Sequence, residues 1–230
     1  FAAGLSIDEI TAFALLLHKK SSLRGGLWDF QFPPRSGLIK GDRTVNFIKQ
    51  FLGDKRIEDL PVPFHVVATD VLSGEEVVFS NGPLVEAIRA SMSVIGVFAP
   101  AKVGPRYLID GGAVNPVPTS VLAENGADVI FASSVIPSLE DRLQRKALRQ
   151  EGRAPNLMGI LLGSMELMES EIIRTRMNPA NLVIRPAVEI YSASDFQRAR
   201  EFIRLGEEAA YRALDQIKQL VAPQRLERMN

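Results

Sequence analysis

The 230-residue sequence contains no cysteine and only two histidines. Without cysteine there is no disulfide framework, no thiolate metal site and no thiol nucleophile, a composition that fits a reducing compartment. Neither His18 nor His65 has a second histidine at helical ligand spacing, and no His-Glu-x-x-His or clustered acidic loop occurs, so no metal is expected. An excess of either charge is also missing: 27 Lys and Arg balance 27 Asp and Glu. The longest basic cluster, residues 142–149, is interrupted by Leu, Gln and Ala and reads as a solvated helix face. It offers no phosphate-tracking stripe, which excludes nucleic acid as a partner. No apolar run reaches the ~18 residues of a membrane-spanning helix, and no basic region precedes a cleavable signal. The expectation is a soluble or peripheral chain. Neither Gly-x-x-x-x-Gly-Lys-Ser/Thr nor Gly-x-Gly-x-x-Gly is present, so a glycine loop for nucleotides has no support.

What is present is an ordinary globular composition, 46% hydrophobic and 23% charged. Chains divide into separate cores only beyond roughly 250–300 residues, so one domain over 1–230 is expected. The sequence begins at Phe1, within the apolar run Phe1-Ala2-Ala3-Gly4-Leu5, which looks like the end of a helix. The native N-terminus is therefore expected to lie elsewhere.

Ser6 and Glu9 have the spacing of a capping box ahead of the apolar stretch 10–17, which predicts a helix over 7–19. Residues 21–41 have loop composition with aromatic anchors. Val45, Ile48, Phe51 and Leu52 lie at helical spacing before Gly53, predicting a second helix over 43–52. The β-branched run 64–71, between Pro63 and the turn residues Ser73 and Gly74, predicts a buried strand with 76–80 as its hairpin partner. Further helices are expected over 83–90, 118–125, 138–151, 156–175 and 194–222, and strands over 107–110, 129–133 and 181–184. Helices alternate with strands that are apolar throughout, which predicts an α/β layer fold whose sheet is mostly parallel and covered on both faces.

The chemically informative stretch is Leu108-Ile109-Asp110-Gly111-Gly112-Ala113. An acid at the end of a short apolar strand lies where open α/β sheets bind ligands, and the two glycines permit close backbone approach. The same pattern also describes a tight turn with a capping aspartate, and local sequence does not separate the two.

A longer pattern bears on that choice. Ser36-Gly37-Leu38-Ile39-Lys40-Gly41 precedes Phe64-His65-Val66-Val67-Ala68-Thr69-Asp70. Then come Ala87-Ile88-Arg89-Ala90-Ser91-Met92-Ser93 with Phe98-Ala99-Pro100, and finally Asp110-Gly111-Gly112 with Asn115 and Pro118. In this order the segments resemble the patatin-like phospholipase family, in the bacterial branch related to the neuropathy target esterase catalytic domain, over most of residues 1–135. The resemblance implies a three-layer α/β/α patatin-like fold and a bacterial protein, cytoplasmic or at the membrane periphery. It implies hydrolysis of phospholipid or lysophospholipid acyl esters by a Ser-Asp dyad with no metal or organic cofactor. Asp110 takes the place of the dyad's acid. Ser91, Ser93, Phe98, Gly111 and Gly112 fall where substrate is bound or the site is shaped, although Ser91 and Ser93 are equally plain helix and turn hydroxyls. Such a dyad is chemically coherent: aspartate accepts the serine proton, serine attacks the ester, and water releases the acyl group. A Ser-His-Asp arrangement of the α/β-hydrolase order is disfavoured, because both histidines precede Asp110. His18 reads as a cation near a helix C-terminus and His65 as a packed strand residue.

The sequence departs from that family in one large respect. No serine has glycine at both minus two and plus two, so the Gly-x-Ser-x-Gly elbow is absent, as is the glycine-rich oxyanion loop. The resemblance places both immediately upstream of Phe1, and the chain by itself is expected to be inactive, since oxyanion donors contribute ~10²–10³ in rate each. The alternative is a non-catalytic lipid- or protein-binding module on the same fold. A smaller departure is Ile95, where relatives carry proline in Ser-x-Pro-Gly-x-Phe; a looser turn is the expectation. Trp28, Phe30 and Phe32 form either a lip that docks on lipid or anchors that pack the loop down. The methionine-rich helix over 156–175 suits either an adaptable acyl-chain surface or a core or oligomer-facing position.

Overall fold

A computed structural model describes residues 1–21, 26–33, 36–138, 140–141, 157–177, 179–191 and 195–227. It divides into two compact units, residues 1–116 with 157–161, and residues 117–156 with 162–230.

The first unit is built on four strands. β1 (Val66–Asp70) and β2 (Glu76–Phe79) form the expected hairpin, and β3 (Ala101–Val103) and β4 (Arg106–Asp110) form a second one, in the order β2-β1-β4-β3. β1 and β4 pair through Ala68 with Asp110, Thr69 with Ile109 and Asp70 with Leu108. All three pairings are antiparallel. The expectation of a mostly parallel sheet therefore needs correction, and the reason is physical. Every residue of β1 is buried, and an unbroken apolar run records burial on both faces, not strand direction. β3 was not expected from sequence: Ala-Lys-Val carries no strand signature and pairs only because β4 lies beside it.

The unit's helices follow their sequence signals closely. α1 (Ile7–Ser21) opens with the capping box, Glu9 N–H donating to Ser6 Oγ at 3.2 Å and Ser6 N–H to Glu9 Oε2 at 2.8 Å. α2 (Asp42–Leu52) meets α1 through Phe13, Phe47 and Phe51, whose ring centroids lie 4.8–5.3 Å apart. α3 (Leu84–Ser91) lays Ala87 and Ala90 on the sheet, among Val66, Ala68, Ala101 and Leu108. Alanine on that face lets helix and sheet approach closely. Leu84 and Leu108 are fully buried there, each worth about 1.5–3 kcal/mol relative to exposure.

In the second unit, β5 (Phe131–Ser133) pairs in parallel with β6 (Leu182–Ile184). Asn181 extends the ladder, accepting from Ile130 N–H at 2.8 Å through its side chain while its own N–H donates to Ile130 O at 2.9 Å. The helices are α4 (Thr119–Glu124), α5 (Leu157–Arg176), which begins in the first unit, and α6 (Ala199–Glu227). The helix expected over 138–151 lies almost entirely outside the described residues. Its start carries a reciprocal cap, with Ser138 Oγ donating to Asp141 Oδ2 at 2.6 Å and Asp141 N–H to Ser138 Oγ at 3.2 Å. Among the described residues, no helix is long and apolar enough to cross a membrane.

Candidate functional site

β4 ends at Asp110, where the chain turns through a single 3-10 turn, Gly111–Ala113. Asp110 caps this turn, its Oδ1 accepting Gly112 N–H at 2.8 Å. The turn is possible here because position 111 has no side chain: a Cβ on Gly111 would collide with the Val67 carbonyl of the neighbouring strand. The tight turn with a capping aspartate, one of the two readings left open by the local sequence, is thus real. It leaves the carboxylate only partly occupied, since Oδ2 has no hydrogen-bond partner among the described residues.

The backbone of Asp110 is held on both sides. Its N–H donates to Ser93 O at 3.0 Å, and its carbonyl accepts from Thr69 Oγ1 at 3.0 Å. Beyond the turn, buried Asn115 donates its N–H to Gly111 O at 2.8 Å and its side-chain amide to Glu76 Oε1 at 2.9 Å. Burial pushes the Asp110 carboxyl above its ordinary value, and the Gly112 N–H partly offsets this. Desolvation raises the proton affinity of a carboxylate, the property a general base near neutral pH requires.

The residues expected to shape the site fall into two groups. Gly111, Gly112 and Ser93 contact Asp110 or adjoin it. Ser93 is fully buried, and its hydroxyl is committed: Oγ donates to Arg89 O at 2.8 Å and accepts from the Arg89 guanidinium. It is a structural hydroxyl within the unit's core. Ser91 is the partly buried last residue of α3. Phe98 is buried under the Arg89 guanidinium, 5.7 Å from the ring centroid, and beside Trp28 at 6.2 Å.

Ile95 does not disrupt its turn. Val97 N–H closes it onto Val94 O at 3.0 Å, and Gly96 takes φ 78° at the third position, so the turn is set by glycine where proline is only a favoured second residue. The aromatic loop divides. Trp28 packs, its indole N–H donating to Ser21 O at 3.1 Å, whereas Phe30 and Phe32 are exposed at 71% and 98%. On α5, Leu157, Ile160, Leu161, Leu167 and Met168 are exposed. Neither histidine is hydrogen-bonded to Asp110: His18 lies in the last turn of α1, and His65 Nδ1 faces Ser80 Oγ at 2.8 Å. Among the described residues, no cluster of His, Asp or Glu could hold a metal ion.

Two residues were missed in the sequence. Asp29 caps α2 from a distance, Oδ1 accepting Gly41 N–H at 2.7 Å and Oδ2 accepting Asp42 and Arg43 N–H at 2.8 and 3.2 Å. Arg89 gathers two carbonyls and the Ser93 hydroxyl at the foot of α3. Asp29 gave no signal, because it is distant in sequence from the helix it caps. Arg89 gave a faint one, as a cation among apolar residues on a short helix.

The family model for patatin-like phospholipases matches residues 2–123, just over half of the chain. Among curated proteins, an NTE family protein of Mycobacterium tuberculosis is 38% identical over 134 residues, covering 58% of this chain and 36% of that one. An NTE family protein of Mycobacterium bovis is 27% identical over 236 residues, covering 96% and 40%. A lysophospholipase of Candida glabrata is 26% identical over 204 residues, covering 81% and 12%. The chain spans little more than a third of the first of these relatives and less of the last.

Proposed function

Because the chain belongs to the patatin-like phospholipase family, we propose that it forms the base-bearing part of a lipid acyl hydrolase acting on phospholipids or lysophospholipids. The observation that carries this reading is the Asp110 carboxylate, raised in proton affinity by burial, with one oxygen fixed by Gly112 and the other without a hydrogen bond among the described residues. A carboxylate held in this way can accept a hydroxyl proton without first giving up a partner.

In the proposed reaction, Asp110 removes the proton from a serine Oγ as that oxygen bonds to the ester carbonyl carbon. The tetrahedral adduct collapses by breaking the bond to the alcohol oxygen, which takes the proton from Asp110 and leaves an acyl-serine. Water, deprotonated by Asp110, then attacks the acyl carbon, and the proton returns to the serine as the fatty acid departs. The 230 residues contain no serine in Gly-x-Ser-x-Gly, so on this reading the nucleophile and the oxyanion donors lie outside them, and the chain alone does not hydrolyse esters. The name of the Candida glabrata relative, a lysophospholipase, supports a monoacyl phospholipid as the first substrate to try.

The test compares this chain with a protein that carries it behind a Gly-x-Ser-x-Gly segment, using fluorophosphonate labelling and lysophosphatidylcholine hydrolysis. One covalent adduct with turnover in the longer protein, and neither in the chain alone, is the expected result. Turnover that survives Asp110→Asn removes Asp110 from the mechanism. A longer protein that takes no label and hydrolyses no acyl ester supports a binding module instead.

A further inference from the structure

Arg89 lies on α3, one helical turn before Ser93, and its side chain is part-buried. Its guanidinium makes contacts to three separate pieces of chain. One Nη donates to Lys40 O at 2.7 Å and to Ala99 O at 2.8 Å, and the other donates to Ser93 Oγ. The plane lies over the Phe98 ring, and the backbone of Gly41 approaches so closely that a Cβ there would meet Arg89 Nε at 2.7 Å. The segments it gathers are already neighbours, with Ile39 N–H donating to Val97 O at 2.8 Å and Ala99 N–H to Ile39 O at 2.9 Å. Arg89 fastens this pair to α3. The Ser93 carbonyl, on the same short stretch, accepts the N–H of Asp110.

From this chain of contacts we propose that Arg89 is a positioning residue for Asp110: it fixes Ser93 and the 93–99 turn, and through the Ser93 carbonyl it fixes the backbone from which the carboxylate projects. The inference rests on reading Asp110 as the base, but the coupling itself is a property of this chain and can be measured on it. Arginine suits the task because a planar fork reaches several acceptors while stacking on an aromatic ring, whereas a lysine ammonium is a compact point charge. Burial lowers the proton affinity of the guanidinium, and the carboxylates of Asp42 and Asp29 oppose that effect. It remains charged throughout the pH range in which Asp110 titrates.

The experiment uses the 230-residue chain, with amide exchange and the carboxyl titration of Asp110 followed by NMR. In Arg89→Met the Asp110 amide is expected to lose protection by about tenfold or more, while the amides of the β1–β2 hairpin keep theirs. The Asp110 titration is expected to move down toward that of an ordinary aspartate, because water reaches a turn that is no longer held. Ser93→Ala removes a single arm and should act in the same direction by about threefold. Arg89→Lys should recover much of the thermal stability but not the Asp110 protection. A folded Arg89→Met with unchanged exchange and titration at Asp110 overturns the proposal, and so does an Arg89→Lys variant indistinguishable from the parent there. If Arg89→Met does not fold, Ser93→Ala decides: selective loss at Asp110 supports the coupling and an unchanged amide overturns it. Hydrolysis that survives Asp110→Asn would overturn the reading of Asp110 as base and leave the measured coupling untouched, so the two ideas fail separately.

Discussion

Asp29 and Asp110 are two aspartates in the same unit that perform the same local act, accepting backbone N–H groups at the start of a helical turn, with different outcomes. Asp29 uses both oxygens for the N–H groups of Gly41, Asp42 and Arg43. Asp110 uses one oxygen for one N–H, that of Gly112, in a turn that closes only two residues away. α2 opens with several free N–H groups along its first turn, whereas the turn after β4 offers a single inward N–H before the chain moves on. Capping alone therefore does not mark a structural aspartate. A carboxylate saturated by donors is a fastener, and one with an unclaimed oxygen in a desolvated place can still receive a proton.

The contrast is sharpest in catalysis. In a protein that joins this chain to a Gly-x-Ser-x-Gly segment, Asp110→Asn is expected to reduce kcat for lysophospholipid hydrolysis by about 10²–10⁴, while Asp29→Asn leaves it within a factor of about two, since the amide oxygen keeps part of the cap and Asp29 has no part in the proposed proton transfer. Equal losses in steady-state kinetics on the two variants would erase the distinction between the two aspartates. Next in size is Gly111→Ala. The added methyl meets a backbone carbonyl, not a flexible side chain, and should destabilise the unit by about 1–3 kcal/mol, read from urea unfolding. Asp29→Ala strips the cap from α2 and should lower stability by about 1–2 kcal/mol in the same assay.

The smallest effect has the opposite sign. Because burial raises the Asp110 carboxyl, the folded state holds this proton more tightly than the unfolded chain does. Its contribution to stability is complete below the unfolded value of about 3.9 and is lost as pH rises through the folded value. Asp110→Asn escapes that loss. The variant should therefore be more stable than the parent at neutral pH, and the gap should close as pH falls below the ordinary aspartate value, as followed by thermal unfolding across a pH series. Such a gain is what the proposed role of Asp110 as a base predicts, since a group kept for chemistry can cost stability.

Several elements could be read from local pattern because local chemistry makes them. The Ser6–Glu9 box, the β1–β2 hairpin around Ser73 and Gly74, and the stop of α4 before Gly126 each depend on residues within a few positions of one another. β3 could not be read, because its three residues become a strand only through β4. Sheet direction was misread for the related reason that β1 is buried on both faces in an antiparallel setting. The strand-end turn at Asp110 with its two glycines was legible from local pattern, whereas the distant cap made by Asp29 was not and Arg89 gave only a faint signal.

The linear string carries the course of α1, α2 and α3 and of the β1–β2 hairpin, the place of Asp110 at a strand end before a glycine turn, and the family to which the motifs belong. Periodicity, capping and turn chemistry operate over a few residues, so they survive in a linear string. Antiparallel pairing of the four strands, the commitment of the Ser93 hydroxyl and the tie that Arg89 makes between Lys40, Ala99 and Ser93 emerge only in three dimensions. Those outcomes depend on which buried donor meets which distant acceptor, and burial makes an unmet partner costly only once the chain has brought the two together.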